Sequence, residues 1–160
     1  MVTTVSLKDA LLGGAQEVFE TMVFMALEEV DVAEECSEDV SLLGSITFTG
    51  NIEGCLSIRC GLQCARTIAA NMLGTDPCGD LAECDINDAI GEVANMVMGA
   101  IKSRVQHEIG TMEVSIPSVV QGREMKHGLG DQANEIVVNV SIEEQYRATF
   151  SLLFRESELA

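Results

Sequence analysis

Residues 85–106 read as one long helix whose two faces make opposite demands, and no other stretch constrains the fold as much. At about 100° per residue, Ile86, Ile90, Val93, Ala94, Val97, Ile101 and Val105 gather into a continuous apolar stripe. That spacing predicts a face pressed onto a core. On the same wheel Asp88, Glu92, Asn95, Gly99 and Lys102 fall together on the opposite side, within an arc of roughly 80°. A solvated helix face is ordinarily filled with Lys, Glu and Ala for their helix propensity. Here Asp, Asn and Gly, all poor helix formers, occupy it. That face is selected for something other than helix stability.

The other segments predict what the stripe packs against. Residues 6–29 have a helical pattern, with Leu11, Ala15, Val18, Met22 and Ala26 as the stripe and Ser6 as N-cap. The acidic run over residues 28–39 predicts a surface connection, because its density of like charge disfavours burial. Residues 44–49 and 54–59 alternate as strands, with Ile46, Phe48, Leu56 and Ile58 inward and Gly50-Asn51 at the turn. A shorter helix over 62–73 is closed by Gly74, and residues 75–80 form a loop. Asp85 is the expected N-cap of the long helix, which puts Asp88 at its third position, where an acid suits the helix dipole.

Beyond that helix, residues 112–120 turn extended, and Pro117 within them demotes its position to an edge or strand end. Residues 121–134 read as a loop or ragged hairpin. Residues 135–142 and 146–154 alternate cleanly and form an antiparallel hairpin through Glu143-Glu144-Gln145. Residues 16–20 and 91–95 look like one position in two copies, a weak internal duplication. The predicted fold is α+β, helices packed on an antiparallel sheet, in a single domain over residues 1–160.

Composition excludes several kinds of chemistry. With 9 basic and 26 acidic residues the formal charge is −17, which argues against nucleic acid and anionic membranes as partners. No apolar run approaches the roughly 18 residues of a membrane span, and the N-terminus lacks a basic region followed by an apolar block. A cytoplasmic protein is expected. The six cysteines contain no CxxC pair and read as reduced, mostly buried thiols rather than disulfides. Cys60, Cys64, Cys78 and Cys84 share one stretch, but not the tight paired spacing that zinc favours, so no metal is expected. His107 and His127 stand apart, and no nucleophile motif accompanies them.

What remains is the polar helix face. Asp88, Glu92 and Asn95 are separated by three and then two residues, and Pro117 follows after twenty-one more. In this arrangement the chain resembles the CheC/CheX/FliY phosphatases of bacterial chemotaxis, whose signature has the same acid, Glu and Asn spacing and a Pro one residue further on. Only one good copy is present, since Glu20 in the first helix stands where a second copy needs Asn. That is more similar to CheX than to the two-copy CheC type, and it argues against a site at Glu17 and Glu20.

The resemblance implies hydrolysis of the aspartyl phosphate on a CheY-like response regulator, with Glu92 and Asn95 as catalytic residues. It implies no cofactor of the chain's own, Mg²⁺ being supplied by the regulator, and a homodimer, to which the C-terminal hairpin would offer an edge strand. The residue types suit the task. An acyl phosphate is already labile, so the phosphatase need add only an oriented water. A neutral amide such as Asn95 both donates and accepts hydrogen bonds and can hold that water without repelling the phosphoryl charge. Glu92, one turn away, is better placed to pair with a regulator lysine than to act as base beside an anion. Asp88, Gly99 and Lys102 would contact the partner, Gly99 by leaving bare backbone for close approach, while Pro117 is structural near the site. The other reading is a non-catalytic module that binds a regulator or flagellar-switch protein with the same fold.

Overall fold

The computed structural model describes residues 4–31, 40–76, 78–122 and 133–157. Helix α1, Thr4–Val18, runs into a π-helical turn at Phe19–Val23 and then a short strand β1, Leu27–Glu29. The hairpin β2, Ser41–Thr49, and β3, Ile52–Gly61, leads to α2, Leu62–Leu73, and the long α3, Glu83–Ile109. Four strands follow: β4, Glu113–Val114; β5, Ser118–Gly122; β6, Asn134–Ile142; and β7, Tyr146–Glu156. The strands form one antiparallel sheet in the order β1-β6-β7-β3-β2, and β4 and β5 share the outer edge of β2. The three helices pack on this sheet, giving the α+β architecture that the residue pattern predicts.

The alternation of each strand decides what the helices cover. Leu42, Ile46 and Phe48 of β2, Leu56 and Ile58 of β3, and Ala148, Phe150, Leu152 and Phe154 of β7 are all buried. The α3 stripe meets them: Ile86, Ile90, Val93, Ala94, Val97, Ile101 and Val105 are all buried. Gly44 sets the height of that contact. A Cβ on Gly44 would lie 2.9 Å from Ile90 Cγ2 and 3.5 Å from the Ile90 carbonyl, so its absence lets α3 sit close on β2. Each fully buried Val or Ile is worth about 1.5–3 kcal/mol, against about 0.5–1 kcal/mol lost at each poor helix former. The buried stripe therefore holds α3 helical whatever its outer face carries.

Both ends of the first helix and of the long helix differ from the expectation, α3 running on to Ile109. The first helix does not continue to residue 29. Its π turn takes in an extra residue, so Phe19, Val23, Met25 and Leu27 are buried while Met22 and Ala26, expected on the stripe, are exposed. Phe24 then ends the turn in the left-handed region, at φ 61°. Ser6 lies inside α1 and is not its cap. On α3 the N-cap is Ala82, without a side-chain capping bond, and Asp85 sits within the first turn beside Glu83. Asp88 is thus a full turn beyond the dipole position expected for it.

The strands β2 and β3 start earlier than expected, and β3 ends later, while the α2 bounds and the turn between these strands agree. Helix α2 spans the expected residues and Gly74 caps it at φ 69°, and Gly50-Asn51 joins β2 to β3. Most of the acidic run (residues 32–39) and of the expected ragged loop (residues 123–132) lies outside the described residues. In the C-terminal hairpin β7 is internal, and β1 covers β6 only along Val140, Ser141 and Ile142. Among the described residues, the part of the hairpin left as an open edge is the upstream half of β6.

Candidate functional site

Helix α3 turns Asp88, Glu92, Asn95 and Gly99 to solvent, with Lys102 half-buried at the far end of the row. Among the described residues, the side chains of Asp88, Glu92 and Asn95 make no hydrogen bond or ion pair within the chain. A carboxylate and an amide one helical turn apart are thus exposed and uncommitted, so both can meet groups from outside.

A second element walls this row. An open depression of about 370 Å³ is lined by Asn87, Asp88, Gly91 and Glu92 of α3 and by Pro117 and Val119. Pro117 lies in the break between β4 and β5, on the outer edge of the sheet. That is where a residue without an N–H costs the ladder nothing. β2 pins the break from both sides. The Ser115 N–H donates to the Thr47 carbonyl at 2.9 Å, Thr47 N–H donates to Ser115 Oγ at 3.0 Å, and Ser45 and Ser118 hydroxyls lie 3.4 Å apart. The proline ring packs over Gly91, where an added Cβ would touch Pro117 Cγ at 3.4 Å and Val119 Cγ2 at 3.6 Å. Pro117 therefore forms a wall beside Glu92.

The lining carries two carboxylates, Asp88 and Glu92, and no basic side chain. It suits a partner that brings its own positive charge. A smaller cleft of about 200 Å³ adjoins it through Asn87, and there Arg66 Nε and Asn87 Oδ1 are buried with no hydrogen-bond partner.

The degenerate position on the first helix differs in one decisive respect. Glu17 is bound at 2.8 Å by Arg104 Nη1 of α3, and Arg104 Nη2 donates to the Gly13 carbonyl. Its carboxylate is engaged inside the molecule, whereas that of Glu92 is not. Among the described residues, no group of three or more His, Cys, Asp or Glu side chains could hold a metal ion. Cys60 and Cys64 are buried, while Cys78 and Cys84 are exposed. His107 is exposed, and His127 lies outside the described residues. No described helix is long and apolar enough to cross a membrane.

Sequence reasoning did not single out Asn87, Gly91 or Val119 as lining residues. Gly91 carried a signal, as a glycine inside a helix. Val119 carried none, because its place beside α3 depends on β5 pairing with β2.

Residues 42–141, which include the whole row and Pro117, match the family described as chemotaxis phosphatase CheX. The chain belongs to the CheX family. Over 86 residues it is 33% identical to the CheY-P phosphatase CheX of Thermotoga maritima, covering 54% of this chain and 55% of that protein. The match thus spans about half the length of that curated relative. The chemotaxis protein CheX of Vibrio vulnificus is similar over 97% of this chain and 100% of its own, at 27% identity and a TM-score of 0.77. A crystal structure of a CheX-CheY-BeF3-Mg²⁺ complex from Borrelia burgdorferi shares the fold at a TM-score of 0.69 and 16% identity, over 92% of this chain and 97% of that one.

Proposed function

We propose that this CheX-family chain is a phosphatase that hydrolyses the aspartyl phosphate of a CheY-like response regulator in chemotaxis signalling. The observation that carries the reading is the exposed, uncommitted pair Glu92 and Asn95, one turn apart on α3 beside the wall made by Pro117. Two relatives support it. One is named a CheY-P phosphatase, and the other was crystallised with CheY, BeF3 and Mg²⁺.

In this reading α3 enters the regulator's phosphorylation pocket, and the Glu92 carboxylate docks against a regulator lysine, a charge-assisted contact. The Asn95 amide accepts a hydrogen bond from a water and holds it in line with the phosphorus. Attack by that water forms a new P–O bond as the bond to the aspartyl oxygen breaks, releasing phosphate and the free carboxylate. Mg²⁺ belongs to the regulator, and this chain supplies no cofactor. Asp88, Gly99 and Lys102 extend the contact along α3, and the reaction takes place in the cytoplasm. The chain acts as a homodimer.

Asn95→Ala is the test. The variant is expected to fold normally and to lose acceleration of phosphate release from the phosphorylated regulator in Mg²⁺ by on the order of 100-fold, the scale of lost positioning. Equal rates for Asn95→Ala and wild type would end the assignment. Binding of the regulator by wild type with no change in its dephosphorylation rate would instead identify a non-catalytic binding module.

A further inference from the structure

We propose that Ile116 is an apolar anchor on which the phosphorylated regulator seats beside Glu92. The inference rests on the phosphatase reading and names the partner surface that the reading requires. Ile116 is 88% exposed, the most open of the large hydrophobic residues described. It directly precedes Pro117, which packs over Gly91, the residue before Glu92. Apolar neighbours continue the rim. Val114 pairs with Phe48 and Val119 with Gly44, so both lie on the helix-bearing face of the sheet.

The bend that presents Ile116 is held rather than loose. The Ser115 hydroxyl accepts the Thr47 N–H at 3.0 Å and donates to the Ile116 carbonyl at 3.0 Å, while the Ser115 N–H holds Thr47 from the other side. The following proline restricts the Ile116 backbone further. An apolar side chain on such a clamp loses little freedom when a partner covers it, which is what an anchor needs.

Position identifies the occupant. A standard interface covers about 800 Å² per partner, a patch about 16 Å in radius. Ile116 is joined to Pro117 across about 3.8 Å of chain, and Pro117 touches the helix at Gly91. A protein whose phosphorylation pocket receives Glu92 and Asn95 must therefore cover Ile116 as well. The partner surface it fits carries a cation within the pocket and an apolar side chain at the rim. Ile116 is a specificity-determining contact, distinct from the carboxylate and amide that act on the phosphoryl group.

Ile116→Ser tests this without disturbing the fold, since the side chain is buried against nothing. The measurements are titration of the regulator activated with BeF3 and Mg²⁺, and phosphate release under steady state. The variant is expected to weaken affinity and raise KM about tenfold, with kcat kept within about twofold. Leu73→Ser, an exposed leucine at the end of α2, should change neither. Unchanged affinity in Ile116→Ser, or a fall in kcat alone, overturns the anchor and leaves the phosphatase reading intact. If wild type binds the regulator without hydrolysing its phosphate, the phosphatase reading fails, and the titration still decides Ile116. If wild type does not bind at all, both fail.

Discussion

Cys55 shows how far one side chain's surroundings can move its chemistry. It is 2% exposed, paired with Thr47 on one side and Leu153 on the other. Burial pushes its thiol up from 9.0 to about 11, against a smaller opposing effect of a backbone hydrogen bond with Ile46. The folded chain thus keeps a proton that the unfolded chain has released, so this stabilisation is complete below about pH 9 and is lost as pH rises through 11. In urea titrations under reducing conditions, the stability lost in Cys55→Ala should be largest at neutral pH. It should shrink by about 3 kcal/mol once the pH passes 11, at 1.36 kcal/mol per unit over the rise from 9.0 to about 11. A gap that stays constant with pH would show that the thiol is not held neutral. Asn95 is the opposite case: its surroundings do nothing to it, and the sequence marks it because an amide in mid-helix is there at a cost. The position of Asp88 along the helix is not legible in the sequence for a local reason, since the helix starts at an uncapped Ala82 that no side chain advertises.

Helix α3 tests the same idea at the level of an element. A Cβ on Gly99 would meet nothing within 4 Å, so nothing inside the described chain requires a glycine there. Gly99→Ala should raise stability by about 0.8–1 kcal/mol, read as a higher urea midpoint. If the proposed docking face is right, it should at the same time weaken regulator binding, because a methyl group then stands on that face. A variant that is more stable and binds equally well would free Gly99 of any role. The buried stripe of α3 was legible because an unbroken helix keeps its 3.6-residue period over all seven apolar positions. Helix α1 was legible only to Val18. A π turn carries no composition of its own, and the left-handed residue that stops it is Phe24, where a glycine would have announced the end. The wall at Pro117 was half legible. The proline signalled a break in a strand, but only pairing with β2 brings that break against Gly91, and pairing partners are not written in local periodicity.

At the scale of the molecule, the sheet edge decides whether the chain works alone. The Val30 N–H donates to the Asn139 carbonyl at 2.9 Å, so the peptide groups of Asn139 point away from β7. Along an antiparallel strand that direction repeats every second residue, which turns Val137 and Glu135 outward too. Among the described residues no strand pairs there, and Val137 is 44% exposed. Such an edge is a template for a second copy, and two β6 strands meeting about a twofold axis would join two sheets into one. Charge opposes this, since each chain carries −17, and salt should strengthen the dimer by screening the repulsion. Sedimentation at micromolar concentration is therefore expected to give twice the 17.2 kDa chain mass, more completely at higher ionic strength. Val137→Pro removes an outward N–H while leaving the ladder to β7 whole, and it should shift the equilibrium to monomer. A wild type found only at 17.2 kDa excludes the dimer. A dimer that Val137→Pro leaves unchanged is built on another surface. Because the open half of β6 and the outer edge of β2 lie on opposite sides of the sheet, pairing through β6 would leave the Pro117 wall of each copy open, so that a dimer of this kind would keep both proposed sites free at once.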